Sequence, residues 1–183
     1  MPIYISMLRG INVGGHNQIK MTALRELFEA LGFERVQTYI QSGNVVFKAG
    51  KSSTLQVSKR VEERIAKVFG FRVSVVTRTS AELGSVIASN PLLKTKGIDP
   101  TKLHVTFLSE APESAALRKL EALAMGPDQF RGSGREIYLH CPNGYGNTKL
   151  SNNTFEKMLA VSATTRNWNT VNKLYEMSLE CGG

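Results

Sequence analysis

The sequence predicts an α+β protein made of two ferredoxin-like halves (split βαβ units, the alpha-beta plait) from an internal duplication, with an added C-terminal helix. The first half orders its apolar patterns as strand, helix, strand, strand, helix, strand, which is the split βαβ order. The second half opens like the first, because Leu103–Leu108 repeats the pattern of Ile3–Leu8 position by position. These two observations together predict the fold class.

In the first half, the elements follow from apolar spacing and from turn or cap residues. Gly32 ends the first helix, and Ser42-Gly43-Asn44 between two β-branched runs is typical of a hairpin turn. Ser53 and Gln56 form a capping box for the second helix. The predicted elements are a strand at 3–8, a helix at 21–31, strands at 36–40 and 45–47, a helix with the apolar stripe Val61, Ile65, Val68 and Phe69, and a strand at 72–77.

The second half is predicted to copy this plan with one change at its end. A final helix with Trp168, Val171, Leu174 and Tyr175 on it is expected to replace the closing strand. The other predicted elements are a helix with Leu117, Leu120 and Ala124 on one face, a tight turn at 132–135, and a helix with Phe155, Met158 and Leu159 that Asn153 caps and Glu156 supports as its N3 residue. The expected division is 1–78, a helical linker at 79–101, and 102–183.

Composition limits the class of protein. Hydrophobic residues make up 42% of the 183 residues, and no apolar run approaches the length needed to span a bilayer. The N-terminus lacks the basic region and cleavage site of a signal peptide. Cys141 and Cys181 have no CxxC spacing, which argues against a disulfide framework and a zinc site. We therefore expect a cytoplasmic protein with no membrane partner, no metal and no cofactor.

A glycine-rich segment at residues 10–17 is the most distinctive local feature. Its Gly10-x-x-x-x-Gly15 spacing matches the start of a P-loop, but His16-Asn17 stands where Lys-[Ser/Thr] is required. Asn12 occupies the second glycine position of the dinucleotide fingerprint, so that motif fails as well. The glycines are explained either by anion binding through backbone amides or by turn geometry and close packing. Both interpretations remain open from the sequence.

Strand order predicts where this segment lies. A right-handed βαβ crossover makes the first two strands parallel, so the first loop and the Ser42-Gly43-Asn44 hairpin share one edge of the sheet. We expect a small polar or anionic ligand at this edge. His16 is the one credible acid–base residue, and the sequence does not decide whether the protein is an enzyme. The predicted ligand-binding residues are Arg9, Asn12, Gly14, Gly15, Asn17, Gln41, Ser42 and Asn44.

A second candidate site lies in the last part of the chain. Residues 143–149 and 164–170 each combine a predicted helix N-terminus with a cation, which suits an anion. Lys149, Arg166 and Asn167 are the candidate residues there. Helix capping, and a core position for Trp168, explain the same residues without a ligand.

Two further function classes stay open. The net charge is +8, and residues 48–78 hold eight Lys and Arg against Glu62 and Glu63. A basic segment of this kind is a solvated helix face or a nucleic-acid-binding surface. The other class is a non-catalytic protein–protein interaction module, for instance one that forms a homodimer. The segment 44–48 lacks the aromatic signature of an RNA-recognition motif.

Four motifs resemble a known bacterial family. They are Leu-Arg-Gly-Ile-Asn-Val-Gly-Gly at 8–15, Thr-Tyr-Ile-Gln-Ser-Gly-Asn-Val-Val-Phe at 38–47, Tyr-Gly-x-x-Lys-Leu at 145–150 and Thr-Thr-Arg-Asn-Trp at 164–168. The sequence is similar over most of its length to the family catalogued as domain of unknown function 1697. That resemblance implies an α+β fold of ferredoxin-like halves and implies no activity.

Overall fold

The computed structural model describes residues 1–123 and 126–183. Contacts divide the chain into two compact units, one formed by residues 1–85 and 173–183 and the other by residues 86–172. Each unit contains a four-stranded antiparallel sheet with helices packed on it. The α+β class and the two similar halves predicted from the sequence are confirmed.

The sheet of the first unit has the order β2-β3-β1-β4. Its alternating apolar residues form strands whose two faces are both covered, since Tyr4, Ile5, Met7 and Leu8 of the central strand are all buried. The elements are β1 (Ile3–Leu8), α1 (Met21–Ala30), β2 (Glu34–Tyr39), β3 (Asn44–Lys48), α2 (Thr54–Phe69), β4 (Val75–Thr79) and the start of α3 (Ser80–Ala88).

Helices α1 and α2 bury their apolar stripes on one face of this sheet. Leu24 and Phe28 of α1 and Val57, Val61 and Ile65 of α2 belong to one core cluster with the strands. Ser53 and Gln56 form the predicted capping box, and Gly70 ends α2 in the left-handed conformation. Leu8, the last residue of β1, belongs to the same core cluster, and the candidate loop begins directly after it.

The second unit repeats this strand order as β6-β7-β5-β8. Its core contains Leu108, Ile137, Leu139, Phe155 and Leu159. The elements are β5 (Leu103–Leu108), α4 (Ser114–Glu121), β6 (Gln129–Ser133), β7 (Glu136–His140), α5 (Asn152–Leu159), β8 (Ala163–Asn167) and the start of α6 (Trp168–Gly182), with short 3-10 helices at Pro91–Lys94, Pro100–Lys102 and Tyr145–Asn147.

The closing strand of the second half was predicted wrongly. Ala163–Asn167 forms β8, which pairs with β5 from Leu108–Ala163 to His104–Asn167, and the C-terminal helix follows this strand instead of replacing it. The physical reason is the β-branched pair Thr164-Thr165, which favours a strand over the opening of a helix.

Three smaller predictions concern the cap of α5, the apolar stripe of α2 and the face of α4. Ser151, and not Asn153, caps α5, since its side chain accepts a hydrogen bond from the Thr154 amide, while Glu156 accepts one from the Ala163 amide. Val68 lies outside the buried stripe of α2 and is 51% exposed. Ala124, expected on the face of the following helix, falls outside the described residues.

Candidate functional site

The connection between β1 and α1 is a compact miniature hairpin. The His16 amide donates to the carbonyl oxygen of Val13 at 3.1 Å, and the Asn12 amide donates to that of Asn17 at 3.2 Å. Gly14 and Gly15 occupy the turn with φ of 60° and 78°. Positive φ at both central positions is the requirement of a type I′ turn, which explains this Gly-Gly pair.

Asn12 holds this hairpin closed and ties it to the next one. Its side-chain nitrogen donates to the carbonyl oxygens of Ile19 at 2.9 Å and Gln41 at 2.8 Å. Its side-chain oxygen accepts from the Ile19 amide at 2.8 Å. The backbone of Asn12 is left-handed, with a φ of 56°, a conformation that asparagine tolerates better than most residues. The carboxamide is therefore occupied by the protein's own backbone.

Apolar packing supports the same junction. Ile11 is buried, and a Cβ atom added to Gly43 would lie 2.6 Å from its Cδ1 atom. Gly43 has a φ of +83° and its carbonyl oxygen accepts from the Leu8 amide at 2.9 Å. The loop and the hairpin therefore meet at one edge, as the strand order predicts, and glycine is required at position 43 for both space and conformation.

The remaining predicted ligand residues take different positions. Asn44 is fully buried and donates to the Tyr39 carbonyl oxygen at 3.0 Å and the Ser42 hydroxyl at 3.1 Å. Asn17 donates to the Gly10 carbonyl oxygen over a long 3.5 Å. Arg9 is half-buried at the end of β1. The asparagine side chains thus hydrogen-bond to the protein's own groups and stabilise this edge.

The exposed part of the edge is uncharged and partly apolar. Val13 is 64% exposed and Ile40 is 47% exposed. His16 and Gln41 are exposed beside them, and residues 10–19 and 36–47 contain no Lys, Arg, Asp or Glu. We call Val13, His16, Ile40 and Gln41, together with the Gly14-Gly15 turn, the loop edge.

Ile40 has a strained backbone that the sequence did not reveal. Its φ is 50°, and a β-branched residue rarely adopts this left-handed conformation. No turn residue marks the position, because the Gly and Asn signals lie further along at Ser42-Gly43-Asn44. The strain costs about 1–2 kcal/mol of folding free energy.

His16 lacks the surroundings of an acid–base catalyst. Within the part of the chain that the structure describes, its ring makes no hydrogen bond. A catalytic histidine is normally oriented by a second group that fixes its tautomer.

The three residues of the second candidate site lie in different environments. Lys149 is exposed, whereas Arg166 is buried and donates to the Thr164 hydroxyl at 2.7 Å and the Thr165 carbonyl oxygen at 3.0 Å. Burial lowers the pKa of the Arg166 guanidinium. The Asn167 side chain accepts from the Thr170 amide at 2.8 Å and so caps α6. These contacts favour structural roles for Arg166 and Asn167.

His104 packs on an aromatic ring in the second unit. Its ring stacks on that of Tyr145 with 4.9 Å between the centroids, and its Nδ1 atom lies 3.3 Å from the Lys102 carbonyl oxygen. Burial lowers the pKa of His104. The side chain is thus half-buried and held within the second unit.

Nowhere in residues 1–123 and 126–183 do three or more His, Cys, Asp or Glu side chains cluster closely enough to hold a metal ion. None of the described helices combines the length and apolarity needed to cross a membrane.

Comparison with known proteins gives a family and a fold. A family model described as "Protein of unknown function (DUF1697)" matches residues 1–138. The structure of the conserved bacterial protein SP0830 from Streptococcus pneumoniae matches with a TM-score of 0.72 and 23% identity, over 97% of this chain and 98% of that one. At this identity the likeness shows the fold alone. No curated protein matches the chain.

Proposed function

Because the chain belongs to the family of proteins of unknown function DUF1697, which assigns no activity, we propose a function from its own geometry. The protein is a non-catalytic interaction module, and its loop edge binds the same edge of a second copy of the chain. The observation that carries this proposal is the exposed pair Val13 and Ile40 on an uncharged, rigidly held edge.

Charge favours a second copy as the occupant. The chain carries a net charge of +8, so two copies repel each other overall. The loop edge has no Lys, Arg, Asp or Glu, so a contact made there brings no like charges together. A two-fold contact places one patch against itself, and an uncharged patch with two apolar side chains is self-complementary.

Rigidity favours binding at the same place. The Asn12 contacts and the Ile11–Gly43 packing hold the loop and the hairpin together before any partner arrives, which lowers the entropy cost of association. The strain at Ile40 supports the same conclusion, because strained residues concentrate at functional sites.

A small polar or anionic ligand at this edge is the second candidate. Arg9, half-buried beside the loop, is the observation that favours it, since it places one cation among the predicted ligand residues. Such a ligand raises the melting temperature of the native protein and loses this effect in Arg9→Gln. A thermal-shift screen over nucleotides and sugar phosphates measures this directly.

Sedimentation over a wide range of protein concentration tests the main proposal. We expect the average mass to rise with concentration, and to rise further with added salt because salt screens the repulsion between like-charged copies. Val13→Asp abolishes the association. Val68→Asp, which makes the same charge change at another exposed valine on α2, leaves it intact.

Two outcomes would contradict the proposal. One is a wild-type protein that stays monomeric at every concentration and salt. The other is an equal loss of association in both valine variants, since that would reflect net charge and not the loop edge.

A further inference from the structure

The outward face of α2 concentrates positive charge. Lys59, Arg60, Arg64 and Lys67 lie on this helix, and Arg72 follows it. The apolar stripe Val57, Val61 and Ile65 is fully buried in the core, and Arg60 and Arg64 flank this stripe while Lys59 and Lys67 lie further toward solvent. We call these five cations the α2 basic face. Arg78 of the same basic segment is buried and does not belong to it.

Two grooves flank this helix. The first, of about 290 Å³, is lined by Leu31, Arg60, Glu63, Arg64 and Lys67. The second, of about 440 Å³, lies toward β4 and includes Lys59, Glu62 and Arg72 in its wall. An extended ligand crossing α2 would therefore meet cations on both sides of the helix.

Arg60 is held by contacts within the protein, whereas the other cations of this face form no ion pair among the described residues. Arg60 donates to the Leu31 carbonyl oxygen at 3.0 Å, and its guanidinium carbon lies 5.0 Å from the centroid of the Phe33 ring. The Nε atom of Arg64 is buried and makes no hydrogen bond. Among the residues that the structure describes, Lys59, Arg64, Lys67 and Arg72 form no ion pair.

The two acids on the helix leave an excess of positive charge, since Glu62 and Glu63 stand against five cations. Glu62 is half-buried, and its carboxylate accepts a hydrogen bond from the Val75 amide at 2.8 Å. Burial raises the pKa of Glu62, and this hydrogen bond partly offsets the effect. Glu63 is left as the exposed acid beside five cations.

The equivalent helix of the second unit lacks such a group of cations. Helix α5 occupies the equivalent place in the second unit, as the helix between the third and fourth strands, and carries Lys157 as its single basic residue. Two similar halves thus pack an equivalent helix, and α2 alone of this pair has a basic face. The difference points to a function for the charge.

We propose that the α2 basic face binds the phosphodiester backbone of a nucleic acid without reading its sequence. Cations from residue 59 to residue 67 extend over about 12 Å at 1.5 Å per residue, which suits a continuous polyanion better than a single phosphate. A membrane surface fits less well, because the apolar stripe of α2 is buried and cannot enter a lipid layer. This proposal is independent of association through the loop edge.

Fluorescence anisotropy of the full chain with a labelled oligonucleotide, titrated with salt, tests it. We expect binding that weakens steeply as salt rises. The double variant Arg64→Gln/Lys67→Gln should lower the slope of log affinity against log salt by about 1.4–1.8, since each lost phosphate contact removes about 0.7–0.9. The control Arg118→Gln/Lys119→Gln removes the same two charges from exposed positions on α4 and should keep the wild-type slope.

Three results would overturn the proposal. No binding at low salt would remove it outright. Equal losses in the two double variants would show attraction to net charge and not to α2. Equal or tighter binding to vesicles containing anionic lipid would assign the face to a membrane surface. Circular dichroism of each variant confirms that it is folded.

Discussion

The side-chain nitrogen of Asn12 donates a hydrogen bond of 2.8 Å to the backbone carbonyl oxygen of Gln41, 29 residues away in the chain. The same carboxamide exchanges two hydrogen bonds with the backbone of Ile19. One side chain thus closes the miniature hairpin and joins it to the strand hairpin. The loop edge depends on this junction for its rigidity.

Replacing Asn12 by alanine should destabilise the protein. Three backbone groups of Ile19 and Gln41 would lose their partner, and we expect a loss of about 1–3 kcal/mol in the free energy of unfolding. Chemical denaturation measures this change. Asn17→Ala is a matched control, because Asn17 is also left-handed, with a φ of 49°, but its side chain makes only the long hydrogen bond to Gly10 among the residues that the structure describes.

The control separates backbone conformation from hydrogen bonding. Both variants place alanine at a positive φ, so the difference between them reports the three Asn12 contacts. Equal losses in Asn12→Ala and Asn17→Ala would contradict the structural role assigned to Asn12.

Gly43→Ala should cost more than an ordinary glycine substitution at positive φ. The new Cβ atom would lie 2.6 Å from Ile11 Cδ1, and overpacking of this kind costs about 1–3 kcal/mol. Gly32→Ala is the control, because Gly32 has a φ of +80° and no atom within 4 Å of the added Cβ. Thermal unfolding measures the loss of stability in each variant, and the difference between the two losses is the steric cost of the contact with Ile11.

A second substitution tests the identity of the clash. Ile11→Val removes the Cδ1 atom, so the cost of Gly43→Ala should be smaller in the Ile11→Val background. Strictly additive effects would show that Ile11 and Gly43 do not interact.

Stability should depend on pH through His104. Burial lowers its pKa in the folded state below the ordinary 6.5, so the unfolded chain binds a proton first as the pH falls. The contribution of neutral His104 is therefore complete above pH 6.5 and is lost progressively below it. His104→Phe keeps a ring on Tyr145 and should flatten this acid-side loss in chemical denaturation.

Parallel stability curves for wild type and His104→Phe would show that His104 does not control the loss.

The sequence predicted the strand order and the meeting of the loop with the hairpin because these follow from local rules. Alternation of apolar residues defined β1, Ser53 and Gln56 defined the start of α2, and the right-handed crossover placed the first loop beside Ser42-Gly43-Asn44. Each of these features requires only neighbouring residues or a general rule of chain topology.

Features that depend on tertiary contacts were harder to predict. The strand β8 has a local signal in Thr164-Thr165, but it is only five residues long and gains its stability from pairing with β5. The side chains of Asn12 and Asn44 bind backbone carbonyl oxygens of Gln41 and Tyr39. The sequence does not distinguish a loop asparagine that binds a ligand from one that binds the protein's own backbone. The left-handed backbone of Ile40 has no sequence signal at all.

Relief of the strain at Ile40 should stabilise the fold. Asparagine tolerates the left-handed conformation, so Ile40→Asn should raise the free energy of unfolding by about 1 kcal/mol. Ala160→Gly is the control, because Ala160 is an exposed residue with a φ of 55° at the end of α5 and gains in the same way. Thermal and chemical unfolding should both report the gain.

The most direct test of the loop edge is sedimentation of Ile40→Asn beside Ala160→Gly and the wild type. The proposed function predicts that both variants are more stable than the wild type, that Ala160→Gly still associates with rising concentration, and that Ile40→Asn stays monomeric because an apolar contact has been replaced by a polar one. Undiminished association of Ile40→Asn would contradict a recognition role for the loop edge.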